Sequence, residues 1–169
     1  MFLMIKKFFR REWRRTRGEF KRLWKNYIYQ SLIAIIVLAI VLLALSMEQA
    51  VIIASIGATA FIVFTMPDNI TASPRRVIGG HITGLVCGSL VALIPHQTTF
   101  SFIAVCAFAV GISIFLMVAL DFEHPPASGT ALGIAMAGFS TSAMIAVITS
   151  SIVLSLSHMV LRRHLKNLT

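Results

Sequence analysis

From residue 28 to residue 161 this sequence is a succession of apolar segments with very few charges between them. Over the chain of 169 residues, 57% are hydrophobic and 12% are charged, whereas soluble domains average about 25% charged residues. A soluble core cannot bury so much apolar surface. The sequence therefore predicts an all-α polytopic transmembrane helical bundle, whose charges between these limits are Glu48, Asp68, Arg75, Arg76, Asp121 and Glu123.

Six apolar segments can be distinguished, and two of them are short for a membrane crossing. A hydrocarbon core of ~30 Å needs about 20 helical residues at 1.5 Å per residue. The second and fifth segments fall below that length. The sequence thus predicts four to six membrane segments, the two short ones being either crossings or half-spans, within residues 28–46, 49–65, 77–94, 100–120, 127–139 and 141–161.

Residues 1–27 indicate a basic amphipathic helix on the membrane surface. Ile5, Phe9 and Trp13 recur four residues apart, and Lys and Arg fill the positions between them. Such a helix binds bilayers that contain anionic lipids. A signal peptide is the competing interpretation, but this basic segment is too long and too rich in aromatic residues for an n-region.

The net charge of +9 is concentrated beside apolar segments, in the N-terminal helix, at Arg75 and Arg76, and after residue 161. Under the positive-inside rule all three places face the cytoplasm. We expect a transmembrane domain at 28–161, a basic cytoplasmic tail at 162–169, and cytoplasmic termini in a bacterial inner (plasma) membrane. This topology accounts for the basic residues without nucleic acid as a partner.

No pattern indicates an enzyme, a cofactor or a metal. Cys87 and Cys106 lie inside apolar segments, which argues against a disulfide or a zinc site. The sequence contains no nucleotide-binding glycine loop and no nucleophile elbow. A membrane enzyme that uses His124 with Glu123 or Asp121 is an alternative, but no cofactor or nucleophile accompanies these residues.

The first polar loop begins a proline-initiated helix. Ser73 and Pro74 suit a helix start, and Arg75 and Arg76 follow in the first turn. Cations there oppose the helix dipole. The arginines therefore hold the loop in the cytoplasm, form an anion site with the helix N-terminus, or divide these two roles between them. His81 continues the polar track one to two turns further along the helix.

The second polar loop has the same organisation, with His124 ahead of Pro125 and Pro126. Ser128 and Gly129 barely shield the amides of the first turn, which can bind an anion at the start of a short membrane helix. His124 can exchange a proton near neutral pH.

Two carboxylates, Asp121 and Glu123, precede this helix start. They repel an anion unless they pair with the arginines of the first loop or serve in a proton relay. The alternative to a site is a tight turn with a capped helix and two solvated acids.

Small residues recur four apart in the helices next to both loops, a pattern that lets helix backbones approach closely in lipid. We expect such a bundle to form a homo-oligomer. The glycines predicted to pack helices together are Gly79, Gly80, Gly84, Gly88 and Gly133.

Residues 123–131, which read EHPPASGTA, resemble the signature of the HPP family of small integral membrane proteins. Residues 72–81, ASPRRVIGGH, and residues 57–60, GATA, are similar to further motifs of that family, and the resemblance covers about residues 29–161. It implies four membrane spans and an association with nitrite transport. The family positions fall on Pro74, Arg75, Gly79, Gly80, His81, His124, Pro125 and Pro126.

Motifs and resemblance together predict a membrane transporter or channel for a small inorganic monovalent anion, nitrite first, with proton coupling through His81 or His124. The alternative function is a non-transporting membrane scaffold or sensor subunit that acts through its basic surface helix. The predicted substrate-binding residues are Arg75, Arg76, His81, His124, Pro125, Pro126, Ser128 and Gly129.

Overall fold

The computed structural model describes residues 2–43 and 50–168, and these residues form α-helices and short 3-10 turns without a strand. The all-helical prediction is confirmed. Residues 44–49, where the predicted first segment ends and the second begins, lie outside the described part, as do residues 1 and 169. The helices are α1 (Phe2–Leu43), α2 (Ala50–Thr65), α3 (Pro74–Val91), α4 (Thr99–Ala119), α5 (Pro126–Ala137) and α6 (Thr141–Leu161).

Three of the described stretches are long and apolar enough to cross a membrane, namely Phe20–Val41, Thr99–Ala119 and Thr141–His164. α2 is apolar but shorter. α3 has 18 residues but includes two arginines and a histidine. α5 has 12 residues, about 18 Å, and contacts α2, α3 and α4. The helix that is too short to face lipid along a full crossing is therefore surrounded by protein.

α1 is one unbroken helix of 42 residues, about 63 Å long. It passes residue 27, the predicted boundary between surface helix and transmembrane domain, without interruption. A helix of this length exceeds a ~30 Å hydrocarbon core, so part of it extends beyond the core. The position of residues 1–27 on the membrane surface stays a prediction.

Glycines allow α3 and α5 to pack closely, and no other pair of described helices has a more extensive contact. A Cβ on Gly84 would collide with the carbonyl oxygen of Ala127, and a Cβ on Gly88 would lie 2.6 Å from that of Ala131. On the opposite side of α5, a Cβ on Gly133 would lie 2.7 Å from a side chain of α2. These contacts set the distances between α5 and its neighbours.

Hydrogen bonds connect the C-terminal segment to α1 and α2. The amide of Leu168 donates to the carbonyl of Thr65 at 2.8 Å. The fully buried Gln30 side chain of α1 donates to the carbonyls of Phe64 and Lys166. The segments that follow α2, α4 and α6 gather with the first turn of α3 at one end of the bundle, the basic end, which comprises residues 66–76, 120–125 and 162–168.

Candidate functional site

Ion pairs join the two predicted motifs at the basic end. Arg76, whose side chain is 11% exposed, bridges Asp121 and Glu123. Arg75 pairs with Asp121 at 3.0 Å and places its guanidinium over the ring of Phe122. Two positive charges therefore face two negative charges, and the cluster as a whole is neutral.

The loop that carries these carboxylates packs closely against α3 at two adjacent glycines. A Cβ on Gly79 would lie 2.6 Å from the Phe122 ring, and a Cβ on Gly80 would lie 2.7 Å from the Cβ of His124. Asp121 turns the chain with a φ of 58°, a left-handed conformation that aspartate tolerates better than most side chains. The turn and the two glycines together bring His124 into the protein core.

The two arginines are expected to differ in their contribution to stability. Arg76→Gln leaves two neighbouring carboxylates without their buried partner and should lower the free energy of unfolding by about 2 kcal/mol. The same change at Arg75, which is largely exposed, should cost less than about 0.5 kcal/mol. Thermal melting of the purified variants in detergent measures both. Equal losses would contradict the bridging role of Arg76.

Behind the ion pairs, the imidazoles of His81 and His124 lie side by side, fully buried, with ring centroids 5.2 Å apart. Thr59 of α2 joins them, because its Oγ1 is 2.9 Å from Nε2 of each ring. Nδ1 of His124 donates to the carbonyl oxygen of Thr71 at 2.8 Å. A carbonyl oxygen can only accept, so this nitrogen carries the hydrogen.

The hydrogen-bonded network continues from His81 to α5. Its Nδ1 lies 2.8 Å from Oγ1 of Thr130, which lies 2.9 Å from Oγ of Ser55. The Ser55 hydroxyl also reaches the carbonyl oxygen of Pro126, at 2.5 Å. A continuous chain of two imidazoles and three hydroxyls thus connects the Thr71 carbonyl with the Pro126 carbonyl. We call this chain the histidine network.

The hydrogen bonds of the histidine network can be satisfied both when His124 is neutral and when it is protonated. Burial lowers the pKa of His124 to about 4, although its bond to Thr71 acts in the opposite direction, so the imidazole is neutral at neutral pH. Its Nε2 then accepts from the Thr59 hydroxyl, whose oxygen accepts from His81. The Ser55 carbonyl is also 3.0 Å from the Thr59 hydroxyl. When His124 gains a proton, that hydroxyl can turn to this carbonyl and accept from both rings.

A crevice of about 240 Å³ between α4 and the start of α5 reaches the histidine network at His124. Among the described residues that line it, only Glu123 carries a formal charge, so the crevice itself supplies no cation for an anion. Its lining is formed by Ile114, Met117, Val118, Glu123, His124, Pro125 and Ser128.

The profile of the HPP transmembrane region matches residues 17–167, nearly the whole chain. The chain belongs to the HPP family. Like its family, it is an integral membrane protein, and the resemblance of the two motifs is confirmed.

Two transmembrane proteins of Dictyostelium discoideum are similar to this HPP-family chain. One is 39% identical over 89 residues, which are 53% of this chain and 31% of the relative. The other is 33% identical over 104 residues, 60% of this chain and 33% of the relative. The chain thus spans about a third of the length of these relatives. No solved structure matches it significantly.

The His-Pro-Pro motif that names the family has a clear structural position. Pro125 and Pro126 begin α5, and the carbonyl of Pro126 ends the histidine network. The Ser128 hydroxyl donates to the Pro125 carbonyl within its own helix. A Cβ on Gly129 would lie 3.2 Å from Ser55, so this glycine brings α5 close to the hydroxyls of α2.

The three hydroxyls of the histidine network are absent from the predicted site. Ser55 and Thr59 lie four residues apart in an apolar segment, which places two hydroxyls on one helix face. Thr59 and Thr130 also lie inside the family-like motifs. Hydroxyls in membrane helices commonly bond to their own backbone, and only the approach of two histidines distinguishes these from the others.

Proposed function

We propose that this protein is a proton-coupled transporter of a small monovalent anion, nitrite first, in the plasma membrane with both termini in the cytoplasm. The observation that carries the proposal is the buried histidine network. Titratable groups within a membrane domain are costly and characteristically mark ion or proton pathways. Alternating imidazoles and hydroxyls can pass a proton along the chain, because each group both donates and accepts.

Charge balance gives the reason for coupling. Arg75 and Arg76 are neutralised by Asp121 and Glu123, so they leave no fixed positive charge for an anion. An anion beside His124 would favour the imidazolium form, since an opposite charge stabilises the protonated state. Proton and anion therefore bind together and cross without net charge.

His124 lies where the proposed route of the anion meets the proposed route of the proton. It lines the crevice beside α4, by which an anion would approach, and it belongs to the histidine network. Replacing it should abolish coupling even if the crevice keeps its shape. This consequence separates proton coupling from a simple channel.

Nitrite uptake into proteoliposomes tests the proposal. An inward proton gradient should drive accumulation above that of protein-free vesicles, which report passive entry of nitrous acid. His124→Gln keeps hydrogen-bonding groups but cannot titrate in this range, and gradient-driven uptake should fall about a hundredfold, the usual contribution of a positioned proton-transfer group.

The matched control is His96→Gln, the same substitution in the loop after α3, where the imidazole contacts the Ile94 carbonyl. Its uptake should equal that of the wild type. Uptake that equals the protein-free background, or that ignores the proton gradient, would refute the proposed function.

A second candidate function, a non-transporting scaffold or sensor subunit, is favoured by the length of α1. Its candidate span begins only at Phe20, so the preceding basic part is free to bind anionic lipid or a partner. Homo-oligomer formation fits either function. Deleting residues 2–25 discriminates the two, because a transporter keeps its flux whereas a scaffold loses its activity.

A further inference from the structure

A cleft at the basic end lies between the segment after α2 and the end of α6, and the proposed transport does not use it. Its volume is about 520 Å³. An adjoining cavity of about 690 Å³ shares Asp68, Met159 and Arg162 with it and extends to Arg163. We call the combined space the α6 cleft. Its polar lining comprises Asp68, Asn69, Ser73, His158, Arg162 and Arg163.

The α6 cleft has an excess of positive charge. Arg162 and Arg163 share its lining with one carboxylate, that of Asp68. The pair between Arg162 and Asp68 is long, 3.7 Å, and both side chains are more than half exposed, so it is weak. These arginines differ in this respect from Arg76, which two acids enclose.

The hydroxyl of Ser73, at the start of α3, shares the cleft lining with Arg162. Ser73 occupies the N-cap position of this 18-residue helix, but its hydroxyl makes no capping bond. The hydroxyl therefore remains available to a ligand in the cleft. The positive end of the helix dipole adds to the attraction for an anion.

A buried histidine, His158, forms part of the cleft wall. His158 is 3% exposed, and its Nε2 donates to the carbonyl of Pro67 at 2.8 Å. Its Nδ1 has no hydrogen-bond partner, and neither has the hydroxyl of Ser155 one turn earlier. Buried polar atoms are nearly always paired in folded proteins, so these two atoms are unusual, whereas the bond to Pro67 connects α6 to the segment after α2.

Exposed apolar side chains border the same cleft. Ile70, Met159 and Val160 are 63%, 64% and 68% exposed. A free phosphate ion would use only the polar groups, whereas a phospholipid would use the polar and the apolar surface together. Basic pockets at the ends of membrane helices characteristically bind anionic headgroups in this way.

We propose that the α6 cleft is a binding site for the phosphate group of an anionic phospholipid. Arg162, Arg163 and Ser73 contact the phosphate oxygens. The acyl chains lie along Ile70 and the exposed face of α6. A lipid bound there links α6 to the segment after α2, which also supplies the Thr71 carbonyl of the histidine network.

Lipid titration of the purified full-length protein tests the site, read by native mass spectrometry and thermal melting in detergent. Phosphatidylglycerol should remain bound at one molecule per chain and raise the melting temperature, and phosphatidylcholine or inorganic phosphate should not. The double variant Arg162→Gln, Arg163→Gln should bind phosphatidylglycerol about a hundredfold more weakly, about tenfold for each charge-assisted contact.

The matched control, Lys166→Gln, removes a positive charge from the exposed C-terminal segment outside the lining of the α6 cleft and should keep the bound lipid. If the arginine variant fails to fold, Ser73→Ala replaces it, with an expected severalfold weakening. Equal effects of phosphatidylcholine, equal effects of inorganic phosphate alone, or an equal loss in the Lys166 control would each overturn the proposal. The test contains no flux measurement, so it stands apart from the fate of the transport proposal.

Discussion

Replacing Thr59 by valine is expected to reduce proton-driven uptake about a hundredfold, the usual weight of a positioned proton-transfer group. Valine keeps the shape of the side chain but removes the hydroxyl that is hydrogen-bonded to both His81 and His124. The proton path is then cut between the two rings. Because buried polar atoms lose their partner, the free energy of unfolding should also fall by about 1–3 kcal/mol.

The same substitution at Thr149 is the control for this experiment. Its exposed hydroxyl donates to the carbonyl of Ile145 within α6, so Thr149→Val should change neither flux nor melting temperature. Flux in proteoliposomes and thermal melting in detergent are measured on the same preparations. Wild-type uptake by a folded Thr59→Val protein would remove the histidine network from the transport mechanism.

Gly84→Ala should destabilise the bundle by about 3 kcal/mol, the upper part of the range for overpacked cores. The added methyl group would collide with the carbonyl oxygen of Ala127, and a backbone atom cannot move away as a flexible side chain can. α3 and α5 would have to separate. The histidine network spans these two helices through His81 and Thr130, so uptake should fall with stability.

Gly111→Ala is the matched change on α4. A Cβ at that position would meet nothing within 4 Å, and alanine favours a helix over glycine by about 0.5–1 kcal/mol. We expect a melting temperature equal to or slightly above that of the wild type. Similar losses from both substitutions would mean that the loss at Gly84 does not come from the contact of α3 with α5.

The helices themselves could be predicted closely because their limits are local. Pro74 and Pro126 each occupy a first helical position, and α5 ends at Gly138 with a φ of 80°, a conformation that suits glycine. α1 continues as one helix through residue 27, the predicted boundary between the surface helix and the transmembrane domain, which stays a prediction. Composition changes there, but a change from basic to apolar residues does not interrupt backbone hydrogen bonds.

The candidate site could be predicted only in part. Both motifs are recognisable in the sequence, and pairing of the acids with the arginines is one of the alternatives that it leaves open. The sequence alone does not show whether the arginines bind a ligand or pair with the nearby acids. The answer depends on how the loop with Asp121 and Glu123 packs over α3. This packing depends on the contacts of Gly79 and Gly80 with the loop, and no local sequence pattern specifies those contacts.

The sequence by itself determined an all-α membrane protein of the HPP family, the approximate limits of α2 to α6 and its two polar motifs, because apolar length, helix starts and motif residues are properties of contiguous chain. The tertiary structure alone decided which polar groups meet. It paired Arg76 with two carboxylates and joined His81 to His124 through Thr59. Such pairings require the distances between helices to be set to within a few ångströms. Glycine contacts between segments that are distant in the sequence set these distances.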